Sequence, residues 1–155
     1  MLIAIPVKNE TERIAKCLQA LAFQHEAPPY QIVLLLNNCT DTTGAVVNAL
    51  ARKLPVPIHS MEINLPRKLA NAGYARHLVM EAAAQLVAPN GVLLTTDADS
   101  QVDPNWIAYN LRALRRGADA VAGRIDIDPV EAALFHQACM KTMRANAFMA
   151  RSWIQ

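Results

Sequence analysis

Asp97 and Asp99 stand one residue apart at the end of Val92–Thr96, a run without charges or turn formers, and Ser100 follows them. A buried parallel strand has this pattern where its carboxyl end opens onto a site. Two acids in that place suit a divalent cation that bridges to phosphate oxygens. The competing reading is a turn and a helix cap, but Asp103 already stands where the next helix needs its cap. A second pair, Asp126 and Asp128 in RIDIDP, serves as an internal comparison. There acids alternate with apolar residues, which reads as the solvent face of a strand that Pro129 closes.

Two other clusters of polar residues follow apolar runs in the same way: Lys8-Asn9-Glu10 after Leu2–Val7, and Asn37-Asn38 after Ile32–Leu36. The amides and hydroxyls of NNCTDTT, Asn37 to Thr43, can read a base edge and ribose hydroxyls through hydrogen bonds. Thr40 or Asp41 can cap the next helix from the same turn. The chain has five glycines and neither a Gly-x-Gly-x-x-Gly nor a P-loop. Dinucleotide oxidoreductases and P-loop ATPases are thereby excluded. A diphosphate would need the cation and a base such as Arg76 or Lys68; the alternative for Arg76 is an exposed helix arginine. His25, His59, His77 and His136 share no metal-ligand spacing. Cys17, Cys39 and Cys139 are odd in number and form no Cys-x-x-Cys, as expected of free thiols in a reducing compartment.

These residues need a frame, and apolar periodicity supplies one. Strands are predicted at Leu2–Val7, Ile32–Leu36, Pro57–Ile63, Val92–Thr96 and Ala120–Ile127. Helices are predicted from an Asn9–Glu12 capping box to about Gln24, from Thr40 or Asp41 to Leu54, from Lys68 to Val87, and from Pro104 to just before Gly117. Pro129 opens a last helical stretch. Strands alternating with helices imply an α/β fold with a mainly parallel open sheet, helices on both faces, and ligands beyond the carboxyl ends of the strands. At 155 residues the length is that of one domain.

Hydrophobic content is 53% and the net charge is +2, too small an excess to argue for nucleic acid. The excess comes from Lys141, Arg144 and Arg151 against Glu131. Residues 130–155 are therefore basic and amphipathic, and Met140, Met143 and Met149 lie among them. They are expected to cover a missing partner segment, to pair with a second copy of the chain, or to lie on a membrane surface. No segment approaches the roughly 20 apolar residues of a membrane span, and no signal peptide is evident. The expected location is cytoplasmic, with peripheral attachment to the inner face of the membrane as the variant.

Taken together and in order, IPVKNE, NNCTDTT, NAGYARH, TTDADS and GADAVAGRI resemble the nucleotide-sugar half of a family 2 glycosyltransferase with the Rossmann-like GT-A fold. The resemblance covers residues 1–127 and implies an inverting transfer from a nucleotide-diphosphate-sugar donor, with Mg2+ or Mn2+ as cation. By position, Pro6, Asn9 and Glu10 fall in the first nucleotide-contact loop. Asn37 stands where the family often has an aspartate, beside Asn38, and Arg76 falls on a helix that often faces the donor. Asp97 and Asp99 match the family's Asp-x-Asp, with Asp99 expected to coordinate the cation directly and Asp97 through water or at the ribose. Gly123 matches a glycine on the strand leading to the acceptor side.

The resemblance divides the chain into a nucleotide-sugar-binding domain, residues 1–129, and a C-terminal helical segment, residues 130–155, that reads as the start of an acceptor region. No general base and no acceptor are identified there, so the chain reads as a fragment or a product cut short. Two alternatives follow: a non-catalytic nucleotide-sugar-binding module, and a sugar-1-phosphate nucleotidyltransferase. The latter usually has a glycine-rich loop after the first strand, and Pro6-Val7-Lys8-Asn9 has no glycine.

Overall fold

The computed structural model describes residues 1–126. The chain divides into a unit spanning Met1–Asp119 and a second that begins at Ala120. The first unit alternates strands and helices: β1 (Leu2–Val7), α1 (Ile14–Ala22), β2 (Gln31–Asn37), α2 (Thr43–Ala51), β3 (Ile58–Ile63), α3 (Ala72–Leu86), β4 (Leu93–Thr95) and α4 (Trp106–Arg115). The strands are parallel and lie in the order β3-β2-β1-β4. The open α/β sheet expected from the sequence is therefore present.

The unbroken apolar runs of β1 and β2 have a direct cause. These two central strands are covered on both faces, so neither parity of side chain meets water. Ile3, Ile5, Val7, Ile32, Leu34 and Leu36 pack on one face with Ile14, Leu18, Val47 and Ile107 of α1, α2 and α4. Leu2, Ala4, Val33 and Leu35 pack on the other with Ala75, Val79 and Ala83 of α3. The small residues of α3 recur every four positions, which brings its axis close to the sheet. Each fully buried Ile or Leu contributes ~1.5–3 kcal/mol.

Pro6 sits in a central strand, where a missing N–H usually costs a ladder bond. Leu2 N donates to Val92 O, so the even residues of β1 direct their N–H groups toward β4. Pairing with β4 stops at Ala4, and Pro6 lies past that end. Its absent N–H therefore removes no bond.

Several boundaries differ from expectation. The Asn9–Glu12 capping box does not form. Asn9 is left-handed (φ 54) and its amide is engaged elsewhere, so a turn comes first, with Arg13 N and Ile14 N both donating to Glu10 O. Lys68 lies in a separate turn after Pro66, and α3 starts only at Ala72, where Asn71 Oδ1 accepts from Tyr74 N at 2.9 Å. Pro104 stays outside α4. Asp103 is not the cap expected of it: Asn105 holds the N-cap position with no side-chain bond, and Asp103 accepts from Asn105 N at 2.8 Å in the turn before the helix. Gly117, at φ 95, ends the helix in the left-handed conformation a C′ glycine supplies.

The strand expected at Ala120–Ile127 is a correction. Ala120–Asp126 form no strand and are exposed; apolar alternation makes a strand only with a neighbour to pair with. Gly123 has open space around it. Ile127, Asp128, Glu131, His136, Cys139, the three methionines and the helix expected after Pro129 lie outside the described residues. Among the described residues, no helix is long and apolar enough to cross a membrane.

Candidate donor site

The loops after β1, β2 and β3 are tied crosswise by two asparagines. Asn9 Oδ1 accepts from Thr40 N at 2.8 Å, and its Nδ2 donates to Thr40 Oγ1 at 3.1 Å. Asn38, also left-handed (φ 50), donates from Nδ2 to Leu65 O and accepts at Oδ1 from Leu65 N, each at 3.0 Å. Asparagine tolerates this backbone conformation better than other residues with a Cβ. Both side chains thus serve as clamps, and Asn38 bonds the backbone through both the oxygen and the nitrogen of its amide. Glu10 N donates to Thr43 Oγ1 at 2.8 Å. Asp41 accepts from Thr43 N and Oγ1 and from Thr11 Oγ1. These hydroxyl bonds, from Thr43 first and then Thr11, pull its carboxyl down to about 2.

Asp97 and Asp99 follow β4 and flank Ala98, which is 4% exposed and anchors their loop in the core. Cys17 of α1 lies beneath and donates from Sγ to Asp97 O at 3.5 Å. The carboxylates themselves are half exposed, at 52% and 48%. Each has a guanidinium beside it. Arg76, from the first turns of α3, pairs with Asp97. Arg13 places Nη1 3.9 Å from Asp99 and Nε 2.9 Å from Glu10. Glu10 is pulled upward chiefly by burial; Arg13 opposes the shift and Asp99 adds to it. Burial, and then the charges of Asp99, Asp97 and Glu10, push the Cys17 thiol up to about 12. The three acids therefore create one negative field, with two arginines set against it.

Asn37 closes β2 and is 1% exposed, and its Oδ1 has no hydrogen-bond partner in the protein. An unpaired buried acceptor costs about 1–3 kcal/mol. Pro6 is buried in β1 behind this loop. A cleft of about 450 Å3 opens beside Asn9, Glu10, Arg13 and Asp41.

The donor set suits a hard divalent cation. Two accessible carboxylates leave positions for water and phosphate oxygens, the arrangement Mg2+ and Mn2+ accept. Among the described residues, no cluster of three or more His, Cys, Asp or Glu could enclose a metal.

The chain matches the model of Glycosyl transferase family 2 over residues 2–152. It belongs to that family. Glycosyltransferase AglE of Haloferax volcanii is 25% identical over 126 residues, covering 80% of this chain and 38% of AglE. The crystal structure of S. aureus TarS 1-349 in complex with UDP aligns with a TM-score of 0.58 at 19% identity, over 82% of this chain and 38% of TarS 1-349. The complex of the same protein with UDP-GlcNAc aligns with a TM-score of 0.51 at 20% identity. These structures share the fold. The chain spans 38% of the length of AglE and of TarS 1-349.

Within this family 2 chain, the sequence-predicted Glu10, Arg76, Asp97 and Asp99 come together around Cys17 and Arg13. Asn9 and Asn38 stand beside them as loop clamps, and Asn37 and Pro6 line β2 and β1. Arg13 escaped the sequence reading, although Glu10-x-x-Arg13 is a spacing that pairs charges. Gln24 escaped it too. Its Nε2 donates to Asp103 O at 2.8 Å and its Oε1 accepts from Ile107 N at 3.0 Å, fixing the far end of the acidic loop to α1.

Proposed function

We propose that this chain forms the donor-binding part of a metal-dependent, inverting glycosyltransferase that uses a nucleotide-diphosphate-sugar. The observation that carries the reading is the convergence of Asp97, Asp99, Arg76 and Arg13 beside the β1 loop at the carboxyl edge of a parallel sheet. Asp99 and Asp97 would hold Mg2+ or Mn2+. The bound cation supplies Lewis-acid stabilisation to the departing diphosphate, worth several kcal/mol.

Arg76 presents a planar pair of donors suited to phosphate oxygens. Asn37, at the end of β2, is the residue assigned to the base. Glu10 and Asn9 wall the nucleotide side. Attack by an acceptor hydroxyl on the anomeric carbon, opposite the departing nucleoside diphosphate, inverts that carbon. No residue of this chain is assigned as the general base. UDP is the nucleotide to try first, because the TarS structures hold UDP and UDP-GlcNAc. The free thiols Cys17 and Cys39 support a cytoplasmic location.

A second reading is donor binding without transfer, which needs only the nucleotide-facing residues Asn9, Glu10, Arg76, Asp97 and Asp99. Calorimetry with UDP, GDP and UDP-GlcNAc, with and without Mn2+, tests the donor site. Mn2+-dependent binding is expected, and its absence for every nucleotide would refute the assignment. Release of UDP from UDP-GlcNAc then separates the two readings: turnover supports a transferase, and binding without turnover supports the module.

A further inference from the structure

Both acids after β4 are paired with cations from elsewhere in the chain. Arg76 comes from α3, and Arg13 from the turn before α1. Arg13 also touches Glu10, so three carboxylates share two guanidinium groups. The exposures of the paired side chains of Arg13, Asp99, Arg76 and Asp97 run from 38% to 55%. Water screens pairs of this kind, and each is favoured by no more than about five-fold. Such contacts release readily. A guanidinium gains more from phosphate, which it can meet through two parallel donors. A divalent cation, for its part, competes for the same carboxylate oxygens that the arginines occupy.

We propose that Arg13 and Arg76 are exchangeable counter-ions of the donor site. They neutralise Asp99 and Asp97 while the site is empty, and pass to the diphosphate when a cation takes the acids. This inference rests on the donor reading above and adds a consequence to it. The cation frees the arginines for the diphosphate, and the diphosphate draws the arginines off the acids. Each ligand therefore tightens the other, by the same factor in both directions. Arg13 acts here as a positioning residue, because it pairs with Glu10 at 2.9 Å and stands 3.9 Å from Asp99 at once.

The experiment measures Mn2+ binding to the full chain from the loss of the free-ion EPR signal, and UDP binding by calorimetry at saturating Mn2+. Arg76→Gln should bind Mn2+ alone about three- to five-fold more tightly than wild type, because a competitor is gone. The same variant should bind UDP about ten-fold or more weakly, the worth of a charge-assisted bond to phosphate. Arg76→Lys keeps the charge and should return Mn2+ affinity toward wild type. Arg13→Gln should also tighten Mn2+.

A merely structural arginine would weaken both ligands, so the opposite signs identify exchange. Wild-type binding of Mn2+ with UDP, together with unchanged or weaker Mn2+ binding in both glutamine variants, would overturn the exchange and leave the donor site standing. Failure of wild type to bind UDP with Mn2+ would overturn the donor reading and the exchange with it.

Discussion

Replacing Asn38 should destabilise the fold without touching the acids at the end of β4. Its amide makes two 3.0 Å bonds with the backbone of Leu65, a residue buried in the sheet's flank. Asn38→Ala removes both and leaves a part-buried N–H and C=O of Leu65 unpaired, at about 1 kcal/mol each. Alanine must also hold a φ near 50, which adds ~1 kcal/mol. The expected loss is about 3 kcal/mol, a large share of the ~5–15 kcal/mol that keeps a domain folded.

Asn38→Gly loses the same bonds but meets no strain, so it should retain ~1 kcal/mol relative to alanine. Asn38→Asp keeps the acceptor for Leu65 N and turns an oxygen toward Leu65 O, so it should lie near alanine despite its similar shape. Urea unfolding at constant m measures all three. A loss below ~1 kcal/mol for alanine, or glycine no better than alanine, would refute the account of Asn38 as a clamp.

Asp99→Ala should abolish Mn2+-dependent UDP binding and cost under about 1 kcal/mol of stability, because its side chain is half exposed. Asp126→Ala is the comparison and should leave binding intact; calorimetry on both would reject the assignment if the losses were reversed. The depressed carboxyl of Asp41 contributes stability that is fully present above pH 3.8 and lost as pH falls through about 2. Thermal melts from pH 4 to pH 2 should show this fall in wild type and lose part of it in Asp41→Asn; identical profiles would count against the Thr11–Asp41–Thr43 bonds. Cys17, buried and pushed up to about 12, should resist iodoacetamide at pH 8 in the native chain while Cys39 reacts first. Peptide mass spectrometry showing the reverse order would contradict the burial of α1 against the acidic loop.

Much of the frame was legible because burial on both faces writes itself into composition. β1 and β2 read as strands from their apolar runs, and Ile14, Leu18 and Leu21 marked the buried stripe of α1 by their spacing. Asp97 and Asp99 were legible from context, since charge appears just where the apolar run stops. The helix starts were less so. Asn9 carries a capping pattern, but a residue 31 positions away takes its amide, and long-range hydrogen bonding leaves no local trace. Asn71 and Lys68 show the same ambiguity, because both suit a helix beginning and only one supplies the cap. Ala120–Asp126 carry the alternation of a strand, but pattern alone does not provide a neighbour to pair with. Arg13 was missed because its partner Asp99 is brought near only by the sheet.

β4 contributes three residues to the sheet and pairs with β1 alone among the described strands. Short segments at a sheet's margin fray before its centre does. The two acids thus ride on the shortest described strand, with Ala98 and the Gln24 bonds holding the loop beyond it, so an opening of that strand parts them from Glu10 and Arg13 while β1 and β2 stay paired. Anything that grips both sides acts as a staple, and its occupancy should be readable as slowed amide exchange at Leu93–Thr95.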